Sequence, residues 1–355
     1  MAKKALKQNS KYETGPYDSL RDYMEAIETH GNVIRIKEID QDAYELTGFM
    51  YKLLDKHGWL GAPSVIVEKI KISGEWVDGP IIVNQYGMAG HEAMAIGVPL
   101  DEIEEGAHVH NYKKALNKMM QMGEITPIKT TEIDKADAPS KAVILKEEDI
   151  NILDFPFFQT NPGDNGRFIN TGNLVTVDPD QGRNVGTYRM QIKGPRKIGI
   201  SPEKKQDGWK SLMKTKENGE TVAQAVVVLG TDPIVFAMSS SKTARTGQDE
   251  LEIAGGFKGK SIEVVKCENS DILVPANVEM IIEGEIPLDD FELEGPFGEM
   301  YGYMGKTHEE QFYMNIKTIT HRVNPMIVNQ FTGVTRGYVT TPGEAASIKG
   351  FSKFM

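Results

Sequence analysis

The sequence is poor in cysteine and in long apolar runs. Its 355 residues include one cysteine, Cys267, which excludes an internal disulfide framework and predicts a reducing compartment such as the cytoplasm. Because Cys267 ends a strand-like run, we interpret it as a structural residue. No stretch reaches the roughly 18 uninterrupted apolar residues of a membrane span. Residues 1–8 include basic residues, but no apolar core follows them, so no secretory signal is predicted.

An excess of positive charge is also missing. The chain has 51 acidic and 40 basic residues, a formal net charge of -11. Binding to a phosphate backbone needs a basic face, so a nucleic-acid partner is not expected. The lysine-rich residues 204–214 also contain Asp207 and Trp209, and we interpret them as a solvated loop followed by the start of a helix.

Several sequence motifs of common enzymes are absent. No histidine lies between His110 and His308, which argues against a central histidine-based zinc site or a compact catalytic triad. The chain has no GxxxxGK[ST] loop, which argues against a P-loop site, and no GxGxxG between a strand and a helix, so a Rossmann site has no support. The remaining phosphate-binding candidate is residues 238–243, Met-Ser-Ser-Ser-Lys-Thr, predicted as a loop after a strand. An ordinary Ser/Thr loop is the alternative.

The first 125 residues alternate helical and strand patterns. Apolar residues at helical spacing predict helices over residues 20–27, capped by Asp18 or Ser19, over 46–54, ended by Gly58, and over 112–122. Residues 33–36 and 81–83 are predicted strands. This alternation indicates an N-terminal α/β domain over residues 1–125.

Residues 126–332 contain short β-type runs separated by turns. Residues 174–177 and 186–192 predict a hairpin, and further strands are predicted at 234–237, 262–265, 278–282, 312–320 and 326–328. Many short strands favour a barrel or an orthogonal sandwich. One helix is predicted over residues 248–254, with Gly255-Gly256 as its stop signal. Residues 333–355 are predicted to begin a further linker or C-terminal element.

Two carboxylates lie five residues apart in Glu294-Gly295-Pro296-Phe297-Gly298-Glu299. Glycine and proline favour a shaped turn that lets the backbone approach a ligand. Carboxylates that share a site can take different pKa values, which suits general acid–base chemistry. An acidic surface turn is the alternative, because Asp289, Asp290 and Glu292 precede this segment.

A second candidate group lies on the predicted strand over residues 186–192. Period-two alternation puts Thr187, Arg189 and Gln191 on one face and apolar residues on the other. Arg189 could therefore clamp a carboxylate or pair with a glutamate, although a surface arginine is equally consistent. The acidic helix start at residues 248–252 suits the helix dipole, and a metal there would need oxygen ligands from elsewhere.

Together these motifs resemble the UbiD family of decarboxylases that use prenylated FMN. The likeness covers essentially the whole chain, through residues 20–26, 31–36, 162–166, 184–191, 250–255 and 294–302. It implies an N-terminal α/β domain, a central split β-barrel of the flavin-reductase type and the start of a C-terminal α/β domain. It also implies that Arg189 pairs with Glu294 beside the cofactor, and that Glu299 delivers or removes a proton.

The resemblance implies a set of cofactor and metal contacts. The cofactor contacts are Asn184, Val185, Thr187, Arg189, Gln206, Ser239, Ser240 and Glu250. A divalent metal, Mn²⁺ or Mg²⁺, and an alkali ion such as K⁺ hold the cofactor phosphate in the family. The divalent-metal ligands map to Asn184 and Glu250, and to Asp207 at the position where relatives usually have a histidine. Aspartate is also a good ligand for hard cations.

A second departure from the family is length. Relatives usually continue into a C-terminal domain, whereas this chain stops at Met355, which indicates a truncated or split form or one subunit of an assembly. We expect a homo-oligomer or a multi-subunit complex. The predicted reaction is reversible, non-oxidative decarboxylation of an aromatic or unsaturated acid, as such or as a CoA thioester, with CO₂ as the second product.

Two other functions stay open on the sequence alone. A flavin-binding reductase shares the barrel type, and a non-catalytic subunit of a carboxylase would explain the missing domain. The side chains that line the substrate pocket come from distant segments. Met300, Tyr301, Met304 and Phe331 are the candidates.

Overall fold

The computed structural model describes residues 14–58, 60–245, 247–299 and 302–331. Its N-terminal part has four α-helices and three strands in the order α1 (Leu20–Thr29), β1 (Val33–Asp40), α2 (Glu45–His57), β2 (Ser64–Ile72), β3 (Glu75–Val83), α3 (Ala89–Ala95) and α4 (His108–Gln121). The sheet order is β1-β2-β3-β15, where β15 (Ile327–Val328) arrives from much later in the chain. β1 and β2 are parallel, β2 and β3 are antiparallel, and β15 is parallel to β3.

Alternation along the strands explains why helices cover both faces of this sheet. Ile66 and Ile82 pack with α1 in one apolar cluster, and Val65 and Ile81 pack with α2 in another. The predicted ends of both helices are confirmed. The Ser19 side chain accepts from the Asp22 N–H at the start of α1, and α2 ends at Gly58.

The central part is a closed six-stranded antiparallel barrel. Its strands are β6 (Phe168–Asp178), β7 (Gly182–Gly194), β8 (Lys197–Ile200), β9 (Val222–Leu229), β12 (Met280–Pro287) and β14 (His308–His321). Neighbours pair in the order β12-β9-β6-β7-β8-β14, and β12 also pairs with β14, which closes the ring. Inward-pointing apolar side chains fill it, among them Leu174, Met190, Val227, Ile282 and Met314. The predicted α/β domain followed by a barrel is confirmed.

Further elements surround the barrel. They are α5 (Asp207–Glu217), α6 (Pro233–Ser240), α7 (Glu250–Lys258), β4 (Thr131–Glu132), β5 (Val143–Lys146), β10 (Glu263–Lys266), β11 (Leu273–Pro275), β13 (Glu292–Glu294) and short 3₁₀ turns at Leu100–Glu102, Lys135–Asp137, Pro139–Lys141, Glu147–Asp149 and Ile152–Asp154. β11, β10 and β4 form a small separate sheet. α6 and α7 pack with α4 and this sheet on the outer face of the barrel.

The strand predicted at residues 234–237 is wrong, because these residues belong to α6. The Asp232 carboxylate accepts from the N–H groups of Ile234 and Val235 at 2.8 and 3.1 Å, and Pro233 occupies the first turn. The helix is apolar because it is buried on all sides, and this hides its helical period. The Ser239-Ser240 segment therefore ends a helix and does not follow a strand.

The predicted stop at Gly255-Gly256 is also wrong. α7 continues to Lys258 and ends at Gly259 in the left-handed conformation. A Cβ at residue 256 would lie 2.1 Å from the carbonyl oxygen of Thr126. Gly256 therefore permits close packing against the neighbouring backbone and does not end the helix.

In the described ranges, none of the helices is both long and apolar enough to span a membrane. The predicted further element over residues 333–355 lies outside the described residues. The division into domains at residues 125 and 332 stays a prediction, and β15 shows that the first sheet takes a strand from beyond the barrel.

Candidate active site

Alternate side chains of β7 form a polar row on the outside of the barrel. Tyr188 and Met190 lie in the barrel core, as the period-two pattern predicts. Thr187, Arg189 and Gln191 therefore lie on the opposite face. A strand rises about 3.3 Å per residue, so neighbours in the row are roughly 7 Å apart and the three side chains span roughly 13 Å.

Arg189 lies between the two predicted carboxylates. Its Nε and Nη2 donate to the two oxygens of Glu294 at 3.0 and 2.9 Å, and its Nη1 donates to Glu299 at 2.7 Å. Glu294 is fully buried, whereas Glu299 exposes 29% of its side chain. Burial by itself lowers the pKa of Arg189. The hydrogen bonds and charges of both glutamates raise the pKa by more than burial lowers it, so it lies above its usual value. We call these three residues the Glu-Arg-Glu set.

A short strand and a turn bring the two glutamates to Arg189. β13 pairs with the edge of β14, where Glu294 lies opposite His308. The chain then turns, and the Phe297 ring lies 5.2 Å from the guanidinium carbon of Arg189. The N–H of Glu299 donates to the carbonyl of Tyr303 at 2.8 Å, which fixes the backbone at Glu299. The acidic surface-turn alternative is wrong for Glu294, which is buried.

A cluster of hydroxyl groups lies one step along the same row. Thr187 Oγ1 is 3.1 Å from Ser239 Oγ and 2.8 Å from Ser240 Oγ, at the C-terminal end of α6. The buried amide of Asn173 on β6 donates to both Thr187 and Ser239, at 2.7 and 2.8 Å. Asn173 was not predicted. Its only sequence signal is a polar residue just before an apolar strand run.

The three predicted metal ligands line one cavity at the end of the row. Asn184, Asp207 and Glu250 surround it together with basic side chains, Arg183, Lys210 and Arg245. Glu250 accepts from the Val185 N–H at 2.8 Å. Burial raises the pKa of Glu250 to about 8, against the effect of that hydrogen bond. In the described ranges no group of three His, Cys, Asp or Glu side chains is arranged for a metal, so an ion here would need the Asn184 amide.

Asp207 begins α5 and is already paired with lysines. Lys210 donates to it at 2.8 Å, and Lys242 lies 3.5 Å away. Burial alone raises the pKa of Asp207, but the two lysines outweigh it and the pKa lies below the usual value. Asp207 is therefore an anionic oxygen donor that faces the same cavity as Glu250.

Other predicted contacts are placed differently. The Gln206 side chain turns back to accept from the Glu203 N–H at 2.7 Å, and it does not line the cavity. Phe331 packs on Phe158 in the core of the first sheet. Met304 is partly exposed and forms a bridge with Gly298, next to Glu299. Met300 and Tyr301 lie outside the described residues.

Comparison with known proteins gives one family. The family model UbiD, the 3-octaprenyl-4-hydroxybenzoate carboxy-lyase Rift-related domain, matches residues 131–335. The chain is 27% identical to the phenolic acid decarboxylase of Escherichia coli O157:H7, over 90% of this chain and 64% of the relative. It is 28% identical to that of Bacillus subtilis, over 90% and 64%.

Solved structures give the same result. The UbiD-class enzyme HmfF from Pelotomaculum thermopropionicum in complex with prFMN superposes with a TM-score of 0.75 at 28% identity, covering 89% of this chain and 68% of that one. Vanillic acid decarboxylase of Sedimentibacter hydroxybenzoicus in closed form gives 0.78 at 27% identity, covering 92% and 66%. The chain spans less than two thirds of the length of the curated relatives it matches.

Proposed function

Because the chain belongs to the UbiD family, we propose that it catalyses the reversible, non-oxidative decarboxylation of an aromatic or otherwise unsaturated carboxylic acid with prenylated FMN as cofactor. The observation that carries the proposal is the bidentate pairing of Arg189 with the buried Glu294, with Glu299 on the third nitrogen. Relatives named phenolic acid decarboxylase, and a neighbour in complex with prFMN, support it.

The residues along β7 fit a flavin mononucleotide. Hydroxyl groups of Thr187, Ser239 and Ser240 offer donors and acceptors between the Glu-Arg-Glu set and the cavity at Glu250. Basic side chains on that cavity suit a phosphate, and its carboxylates suit a cation bound to the phosphate. We propose that the phosphate lies at the Glu250 end of the row and the ring system at the Arg189 end.

The cavity also fits a divalent cation. Asn184, Asp207 and Glu250 would supply oxygen ligands, the donor type that Mn²⁺ and Mg²⁺ prefer. Two carboxylates offset the charge of such an ion, whereas without it the buried Glu250 has no basic partner among the ion pairs of the described residues. K⁺ near the same phosphate is a further part of the proposal.

When bound, prenylated FMN supplies an electron sink for the electron pair left on carbon as the carbon–carbon bond to CO₂ breaks. Arg189 donates hydrogen bonds that orient the substrate carboxylate and hold Glu294 in place. Glu299 transfers a proton to the carbon that lost CO₂, and it removes that proton in the carboxylation direction. Its partial exposure lets it exchange the proton with solvent afterwards.

A single substitution tests this function. Wild type and Glu299→Gln are purified with prenylated FMN, and CO₂ release and deuterium incorporation are measured with aromatic and unsaturated acids, free and as CoA thioesters. We expect wild-type turnover with one of these classes and loss of both signals in the variant. Wild-type turnover and proton exchange in a loaded Glu299→Gln protein would rule out the role of Glu299.

The cofactor and metal are tested separately. Mass spectrometry of the bound flavin, with metal analysis, should give prenylated FMN and a divalent metal that Glu250→Gln loses. An ordinary FMN together with NADH oxidation would support a flavin reductase instead.

We also propose that the chain works in an assembly. One neighbour is described as a dimeric form of HmfF, and another as ShVdcCD. Light scattering of the purified protein gives the number of subunits. A single homologous copurifying chain would support a multi-subunit enzyme.

A further inference from the structure

The turn that carries the two glutamates is held by a second turn from a distant part of the chain. The N–H of Asn165 donates to the Pro296 carbonyl at 2.9 Å, and its side-chain amide donates to the Gly295 carbonyl at 2.9 Å. The Gly295 N–H donates to the side chain of Gln191 at 3.1 Å, and Gln191 donates in turn to the Asn165 carbonyl at 2.6 Å. Three of these four contacts reach the backbone just after Glu294, at Gly295 and Pro296, and the fourth joins Gln191 to Asn165.

Asp164 makes the corresponding contact near Glu299. Its Oδ1 accepts from the Gly298 N–H at 2.7 Å, one residue before Glu299. Its Oδ2 accepts from the Thr160 hydroxyl at 2.7 Å and from the Asn161 N–H at 2.8 Å. Asp164 is 5% exposed. In the described part of the chain its hydrogen-bond donors are neutral, and no ion pair includes it.

The two oxygens of Asp164 therefore have different tasks. Oδ2 closes the local turn over residues 160–164, as a carboxylate does in many turns. Oδ1 is directed out of that turn, to the backbone that carries Glu299. A turn that only needed to be stable would be satisfied by the contacts of Oδ2.

We propose that Asp164 is a positioning residue, which fixes Glu299 against Arg189 by holding the Gly298 N–H. The inference rests on the proposed function, since Glu299 is the proton-transferring group there. Glu299 is the partly exposed member of the Glu-Arg-Glu set, and a single hydrogen bond joins it to Arg189, so its place depends on its backbone. Small displacements of a proton-transferring group lower the rate strongly.

Asp164→Asn separates these two tasks. Asparagine keeps the shape but has one acceptor oxygen, which should face the donors of Thr160 and Asn161 on the Oδ2 side. Its NH₂ then faces the Gly298 N–H, two donors meet, and that contact is lost. Thr160→Val is the matched control, because it removes a donor from the opposite oxygen of the same carboxylate and leaves the Gly298 contact intact.

Two measurements are made on the cofactor-loaded variants. With Asp164→Asn we expect kcat to fall about ten- to a hundredfold, while KM and flavin content stay at the wild-type level. Hydrogen exchange should rise in the peptide over residues 294–299. Thr160→Val should leave kcat and this exchange close to wild type. If Asp164→Asn does not fold, Asn165→Ala replaces it, since Asn165 is exposed and its side chain contacts the same turn.

The outcomes separate the two proposals. Unchanged exchange over residues 294–299 and unchanged kcat in folded Asp164→Asn would overturn the positioning role, as would equal losses in both variants. A wild-type protein without decarboxylase activity would contradict the proposed function instead. The exchange measurement, which needs no substrate, would still decide whether Asp164 holds the turn.

Discussion

Replacing Arg189 by lysine keeps the positive charge and removes the guanidinium group that binds both glutamates. Arginine makes three charge-assisted hydrogen bonds here, two to Glu294 and one to Glu299. A lysine ammonium on a flexible stem cannot make both parallel bonds to one carboxylate in the same geometry. Arg189→Lys is therefore expected to lose two of the three bonds.

The structure separates the effect on stability from the effect on rate. Bonds to charged groups contribute about 1.5–3 kcal/mol each. Water can reach the partly exposed Glu299 and replace its bond, so the loss in unfolding free energy is expected from the Glu294 fork alone, about 1.5–3 kcal/mol. In the reaction, water cannot replace the hydrogen bond between Arg189 and Glu299 in the same geometry. Losing both bonds, about 3–6 kcal/mol, predicts a kcat/KM lower by roughly 10² to 10⁴.

Arg21→Lys is the matched control. Arg21 in α1 makes the same bidentate contact, at 2.9 and 2.8 Å, with the buried Glu279, and neither residue belongs to the Glu-Arg-Glu set. Urea unfolding should give similar losses in both variants, whereas decarboxylation should fall only in Arg189→Lys. Wild-type turnover in Arg189→Lys, or an equal fall in both variants, would refute the reasoning.

Three further predictions concern the rest of the molecule. His91 is fully buried, and burial, with a smaller effect of His30, lowers its pKa to about 3. The contribution of the neutral imidazole to the free energy of unfolding is therefore fully present above about pH 6.5 and is lost below it. Between pH 7 and pH 5, the free energy of unfolding measured in urea should fall by about 2 kcal/mol more in wild type than in His91→Gln. Gly256→Ala should destabilise by about 1–3 kcal/mol because its Cβ meets Thr126, while Gly48→Ala in α2, with open space around it, should stabilise slightly, both by thermal unfolding. Thr187→Val should weaken binding of FMN about fivefold in a titration, since about one hydrogen bond of net worth is lost. It should also lower the melting temperature, because the buried Asn173 amide loses an acceptor. Unchanged affinity would contradict the proposed cofactor position.

The period-two pattern on β7 was enough to predict which of its side chains point out of the barrel on the same face. Arg189 and Thr187 lie on the predicted face, and Tyr188 and Met190 lie inside. The order of motifs along the chain predicted that Glu294 and Glu299 lie beside Arg189 and that the metal candidates share one cavity. No pattern within a single segment could predict either grouping. The family resemblance is confirmed, and the roles of these residues stay predictions.

What the sequence did not predict depends on contacts between distant segments. Residues 234–237 are helical because Asp232 caps the helix, and their burial on all sides hides the helical period. Glycine is needed at position 256 because the carbonyl of Thr126 lies close to it. The segment that contains Asp164 contributes to the family resemblance, but it gives no sign of the contact with Gly298, which is 134 residues away. β9 was missed although Val226, Val227 and Val228 are a strand signal.

The late strand of the first sheet has a consequence for how the chain folds. Ile327 pairs with Ile81, so the contact closes a loop of 246 residues (327 − 81). Contacts of such long range form slowly and after local structure. During synthesis from the N-terminus, β3 therefore emerges with an unpaired edge that stays open until nearly all of the barrel has been made. An open edge of that kind invites pairing with another chain. β15, which follows the barrel, pairs with this edge at Ile81 and Ile82 and so closes that part of it.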